Sequence, residues 1–295
     1  MHAAALAQKD RHHFIQVTSD NDSYTLTRND GYYTNGLRIL FGWNSQKDTT
    51  CKTIRTLEIG QLMYNAKNGS YLKKEELDRP VTAFLYARYG QLSFTKRDDL
   101  FSWGVNIGTI GPPALGRPMQ EAIHSLFNMY KPEEWDYQLK TEVGVNADLS
   151  WSPSLSLLRK PSSVFKLLPV ISGSVGNTFT GASLGPVLSL GRMGSNSQTI
   201  FWNSHLNSTS TESFFYFYPE TVLSIYNATI QGGLFRSDKG PYTGKLNHVR
   251  YRQTIGWMYS GNVFNMGLGL VYDSKESKTQ THNQWYGRIQ LGIAF

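Results

Sequence analysis

The chain has 295 residues, 40% of them hydrophobic and only 17% charged, with a formal net charge of +7. One cysteine, Cys51, excludes an internal disulfide framework and thiolate zinc clusters. No apolar run approaches the roughly 20 residues of a membrane-spanning helix, and the positive balance comes without a compact basic run, which points away from nucleic acid and toward an anionic lipid surface.

In chain order, residues 1–7 read as the remnant of a signal peptide, with Ala5-Leu6-Ala7 as the cleavage site. Residues 8–295 read as one domain, since neither a repeat nor a linker interrupts them. Strands with period-two alternation are expected at 12–22, 34–44, 53–63, 82–94, 101–109, 138–151, 163–175, 182–193, 212–226, 249–259 and 263–272. The chain closes on a further strand ending at Phe295, with Ile289, Leu291, Ile293 and Phe295 on one face and Arg288, Gln290 and Gly292 on the other.

One face of these strands suits lipid and the other a polar interior. In 138–151, Leu139, Val143, Val145, Leu149 and Trp151 oppose Lys140, Glu142 and Asp148, a charged set that belongs in a wet lumen. Trp43, Trp151, Tyr272 and Trp285 stand at strand ends, as an interfacial girdle requires. The expected fold is all-β, a transmembrane antiparallel barrel of about 12 strands with one short helix in an extracellular loop. With Phe295 at the periplasmic end, an even count puts the connections at 23–33, 64–81, 110–137, 176–181, 227–247 and 273–283 outside the cell.

Within 110–137, Pro118 to Tyr130 has helical period, and Pro132 stops it. Gln120 and His124, four apart, share one side and face whatever the helix covers. Parity brings Asn21, Asp22, Thr34, Gln120 and His124 to the same rim. A carboxylate among amide, hydroxyl and backbone oxygens offers a site for a hard cation, most naturally Ca²⁺, and the same Asp/Asn string also fits a plain Asx turn.

Taken together, Asn21-Asp22, Tyr33-Thr34-Asn35-Gly36-Leu37, Gly111-Pro112 with Gln120 and His124, Trp135-Asp136-Tyr137-Gln138-Leu139, Tyr226 to Gly233 and the terminal Phe295 resemble the LpxR-type lipid A 3'-O-deacylases of Gram-negative outer membranes. The resemblance implies a site between the outer wall and a loop helix, and Ca²⁺-dependent hydrolysis of the acyl ester at the 3' position of lipid A. It implies that His124 is the base, that Asn21 and Asp22 hold or position the metal, and that Thr34 and Gln120 support the site. Lys67, Lys73, Lys74 and Arg79, in the outer loops, are candidates for binding lipopolysaccharide phosphates. The expected partner is lipid A in the outer leaflet and the expected state a monomer. The competing readings are a passive porin-like channel and an outer-membrane phospholipase; the latter would need a serine and histidine constellation that Tyr33 to Gly36 does not provide.

Overall fold

A computed structural model describes residues 11–25, 31–45, 51–67, 73–126, 128, 130–155, 164–208 and 210–295. The expected signal-peptide remnant at 1–7 lies outside the described residues. Twelve strands follow in order: β1 His13–Asn21, β2 Tyr32–Asn44, β3 Thr53–Asn65, β4 Thr82–Phe94, β5 Leu100–Ile110, β6 Glu142–Ser152, β7 Phe165–Gly176, β8 Phe179–Arg192, β9 Glu212–Asn227, β10 Val249–Ser260, β11 Phe264–Asp273 and β12 Gln284–Ala294. Helix α1 (Gly116–Leu126) lies between β5 and β6, and a single turn, α2 (Ala228–Gln231), follows β9.

Each strand pairs antiparallel with its sequence neighbours, and β12 closes on β1 from Phe14 opposite Ala294 to Asn21 opposite Gly287. The barrel therefore has no open edge, which is what lets strands sit in lipid with every backbone group paired. The alternation read from the sequence is kept. On β5, Phe101, Trp103, Val105 and Ile107 are exposed to the outside, and on β6 so are Val143, Val145, Leu149 and Trp151. Phe101 stacks on Trp151 and Tyr272 packs on Trp285 at opposite ends of the wall, giving two aromatic belts.

The inner face carries charge in pairs. Asp20 is held between Arg38 at 2.8 Å and Arg288 at 2.7 Å, and Asp148 receives Arg88 at 2.6 Å. Glu142 and Asp148 do face inward, but Lys140 does not join them. The chain at Gln138 leaves the strand phase to form a parallel bridge with Val81, and Leu139 is buried beneath it, donating its N–H to the Val81 carbonyl at 2.9 Å. Burying Leu139 in the loop core outweighs extending β6 by four residues, and Lys140 is left exposed.

Long loops at the α1 end and short turns at the Phe295 end identify the α1 end as extracellular. The longest periplasmic connection, 193–211, folds into the barrel mouth. Leu206 is buried in a cluster with Phe14, Leu40, Ile54, Phe94 and Leu100, while Lys52 Nζ donates to the carbonyls of Ser204 (2.5 Å) and Leu206 (2.7 Å). Asn265 Nδ2 donates to Nε2 of the buried His205 at 2.8 Å. At the outer mouth, Thr229 and Ile230 of α2 are buried, and Arg79, Arg250, Asp273 and Glu276 form a buried ion network. Against it lies a cavity of about 340 Å³ lined by Ser150, Ser172, Ser183, Ser224, Arg250 and Arg252 among others.

Candidate functional site on the outer wall

The outward row of β3 locates the site. Leu57, Ile59, Gln61, Met63 and Asn65 share that face. Ile59 is 64% exposed and Asn65 1%, so something covers the upper wall. The cover is the connection carrying α1: Gln61 Nε2 donates to the Ala114 carbonyl at 2.7 Å, and Met63 packs with Ala83, Ala114 and Trp135. Gly116 permits the close approach, since a Cβ there would stand 2.2 Å from the Trp135 ring and 2.7 Å from Ala83.

A bulge in β2 brings in the next group. Tyr33 pairs with Tyr64 and Asn35 with Met63, leaving Thr34 as the extra residue. Tyr33 therefore points inward, its hydroxyl donating to Asp20 at 3.0 Å, whereas Thr34 donates outward to Asn65 Oδ1 at 2.7 Å. Asn65 Nδ2 in turn donates to Gln120 Oε1 at 3.0 Å and to the carboxylate of the fully buried Glu134, and Trp135 Nε1 donates to the same Gln120 oxygen at 2.7 Å.

Gly116, Gln120 and His124 form the buried edge of α1. His124 Nδ1 lies 2.7 Å from the Tyr130 carbonyl oxygen, and its ring meets Tyr130 edge-on at 4.7 Å. A carbonyl only accepts, so Nδ1 carries the proton and Nε2 of the neutral ring holds the lone pair. The partner of Nδ1 is thus a backbone carbonyl and none of the nearby carboxylates Glu133, Glu134 and Asp136. Asp136 instead binds Arg117 at 2.7 Å, and hydrogen bonds from Arg117 to Glu121 and Asp136 raise its pKa.

Asn21 ends the outward row of β1, opposite Asn35. Its Oδ1 accepts from the Ser23 N–H at 2.8 Å and from the Ser23 hydroxyl, the Asx turn weighed from the sequence. Asp22 is buried and its Oδ2 accepts the Gly31 N–H at 3.0 Å. Lys67 crosses this corner with its Cα 2.8 Å from where a Gly31 Cβ would stand, so only glycine fits. Among the described residues no three His, Cys, Asp or Glu side chains converge as a metal site.

Of the basic candidates, Lys67, Lys73 and Lys74 are exposed on the outer loops. Arg79 is a correction: it is fully buried, bound to Glu276 at 2.9 Å and Thr229 at 3.1 Å, with its guanidinium 4.3 Å from the centre of the Tyr64 ring. A charge so paired stabilises the mouth and is closed to a headgroup. Asn65 was missed in the sequence, although its signal is there: an outward row that runs Leu57, Ile59 and then turns to Gln61 and Asn65 has polar groups where lipid is expected.

The whole chain, residues 1–295, matches the family described as "Outer membrane protein LpxR". The protein belongs to that family. It is therefore an integral outer-membrane β-barrel. Its fold is similar to that of LpxR from Salmonella typhimurium, with a TM-score of 0.75 over 96% of this chain and 100% of that one at 19% identity. A looser likeness, TM-score 0.51 at 8% identity over 97% of this chain and 100% of the other, is to the beta domain of the Bordetella autotransporter BrkA. No curated protein sequence matches the chain.

Proposed function

We propose that this LpxR-family barrel is a lipid A 3'-O-deacylase, a hydrolase that removes the ester-linked acyl or acyloxyacyl group from the 3' position of lipid A. The observation that carries the reading is the placement of His124, Gln120, Thr34 and Asn65 on the lipid-facing side of the wall, under α1 and at the extracellular end. A substrate whose acyl chains fill the outer leaflet presents its esters at that level.

In this reading a water gives its proton to His124 Nε2 as its oxygen attacks the ester carbonyl carbon. The tetrahedral intermediate then breaks the bond to the sugar oxygen. That oxygen takes the proton back from His124, leaving a sugar hydroxyl and a free fatty acid. The Tyr130 carbonyl stabilises the charged imidazole by accepting from Nδ1. Gln120, its Oε1 held by Trp135 and Asn65, keeps its Nε2 to donate to the carbonyl oxygen of the substrate.

Ca²⁺ fits the chemistry of the donors, which are all hard oxygens: the Asp22 carboxylate, the Asn21 amide oxygen and the Thr34 hydroxyl would hold it, with waters completing its shell. Bound there, it would supply positive charge to the oxyanion. The porin-like alternative is disfavoured by the two mouths, one filled by 193–211 and the other by α2 and the Arg79 network.

The test is incubation of the refolded protein with lipopolysaccharide, followed by mass spectrometry of lipid A. Loss of the 3' acyl group only with Ca²⁺ present supports the proposal, and unchanged lipid A sinks it. The same activity under chelator would remove the metal from the mechanism.

A further inference from the structure

Helix α1 is divided lengthwise into three sectors. At about 100° per residue, the buried edge formed by Gly116, Gln120 and His124 is flanked on one side by Arg117 and Glu121, and on the other by Met119, Ile123 and Leu126. The charged and apolar flanks lie roughly 180° apart, each about 90° from the buried edge. Arg117 and Glu121 bind each other at 2.9 Å, and Arg117 also reaches Asp136. The apolar flank has no such cover: Leu126 is 78% exposed and Met119 38%.

Leu115, the residue before the helix, is also exposed and sits at φ 59°. A leucine in this left-handed conformation is strained where glycine is not, and burial within the protein does not offset it.

We propose that α1 lies in the membrane interface, with Met119, Ile123 and Leu126 immersed among the acyl chains of the outer leaflet and Arg117 and Glu121 turned to water. The occupant is lipid, because the surface is continuous with one already given over to it. α1 packs on β3 and β4, and the outward row of β3 directly below it, Leu57 and Ile59, is exposed apolar wall. A helix laid on such a wall with its buried edge inward has one flank down and one flank up. Interfacial helices have this division of apolar and charged faces. The inference builds on the proposed function only in that α1 covers the proposed site. Its consequence is that the seam between helix and wall opens sideways into the leaflet, so a lipid substrate arrives along the membrane plane.

The test uses the full chain with Cys51→Ser and single nitroxide labels at Leu126→Cys or Met119→Cys, in vesicles of phosphatidylethanolamine and phosphatidylglycerol. Ile59→Cys serves as the lipid reference and Ser125→Cys as the aqueous one, and heat-modifiable migration verifies that each barrel is folded. Labels at 119 and 126 are expected to match Ile59→Cys, accessible to oxygen and closed to a water-soluble nickel chelate. Nickel accessibility equal to that of Ser125→Cys overturns the proposal, and so does spin coupling between labels, which assigns the flank to a second copy. Neither outcome depends on catalysis, so failure here is separable from failure of the deacylase reading.

Discussion

His124 Nδ1 donates to the main-chain carbonyl of Tyr130 at 2.7 Å, closing a loop of six residues around the end of α1. The hydrogen bond leaves the lone pair on Nε2, and the tautomer is fixed by a group that no side-chain substitution removes. His124→Ala is expected to lower kcat by about 10²- to 10⁴-fold, the range for loss of a general base. Lipid A turnover followed by mass spectrometry measures it; a loss confined to KM would assign His124 to binding instead.

Asn65 is the centre of the wall network, in contact with Thr34, Gln120 and Glu134. Asn65→Ala leaves buried polar groups short of a partner, at about 1–3 kcal/mol each, and activity should fall while the barrel persists. Asn65→Asp should be worse than Asn65→Ala, because it sets a second carboxylate against Glu134. Equal activity in the two variants would contradict the network.

Gly116→Val places side-chain atoms where the Trp135 ring and Ala83 already stand. The expected outcome is a displaced α1, with activity lost and the thermal midpoint of the barrel unchanged. Trp135→Phe in the same chain should return part of the activity by making room. A barrel that unfolds in Gly116→Val would show instead that α1 is integral to the wall.

Arg79→Ala leaves Glu276 buried with one fewer cation, and breaking such a pair costs about 3–5 kcal/mol. Its effect should appear as a lower unfolding temperature. Lys73→Ala and Lys74→Ala, on exposed loop, should leave the unfolding temperature alone and raise KM for lipopolysaccharide. Thermal melts in detergent beside substrate titrations separate the two classes.

Burial, followed by the nearby Lys52, pushes His205 down to about 3 from its ordinary 6.5. The undocked 193–211 segment therefore takes up the proton first as pH falls. The docked form is fully favoured above pH 6.5 and loses that advantage progressively down to pH 3. Between pH 7.5 and 5 the loss is about 2 kcal/mol. Protease cleavage within 193–211 should rise over that interval, and His205→Gln should flatten the dependence.

The barrel was legible in the sequence because lipid on one side and charge on the other force strict alternation; β4 at Thr82–Phe94 coincides with its expected bounds. The misreadings fall where another packing partner intervenes. Gln138 to Thr141 alternate like strand but are drawn to Val81. The fold of the polar 193–211 cannot be read from alternation, since its few apolar residues, such as Ile200 and Leu206, find their contacts only across the barrel mouth. At the site, Gln120 and His124 were visible from helical spacing. Asn65 leaves only a polar break in the outward row of β3, whose meaning comes from which face the α1 connection covers.

The extra residue at Thr34 sets the phase of β2 on either side of it. Below it the strand obeys the membrane, and above it two adjacent side chains serve opposite compartments, Tyr33 the sealed interior and Thr34 the proposed site. Deleting that one residue would restore regular alternation from Tyr33 to Asn35 and take the hydroxyl away from Asn65. The integrity of the seal and the alignment of the chemistry thus share a single backbone irregularity, and selection on either constrains both.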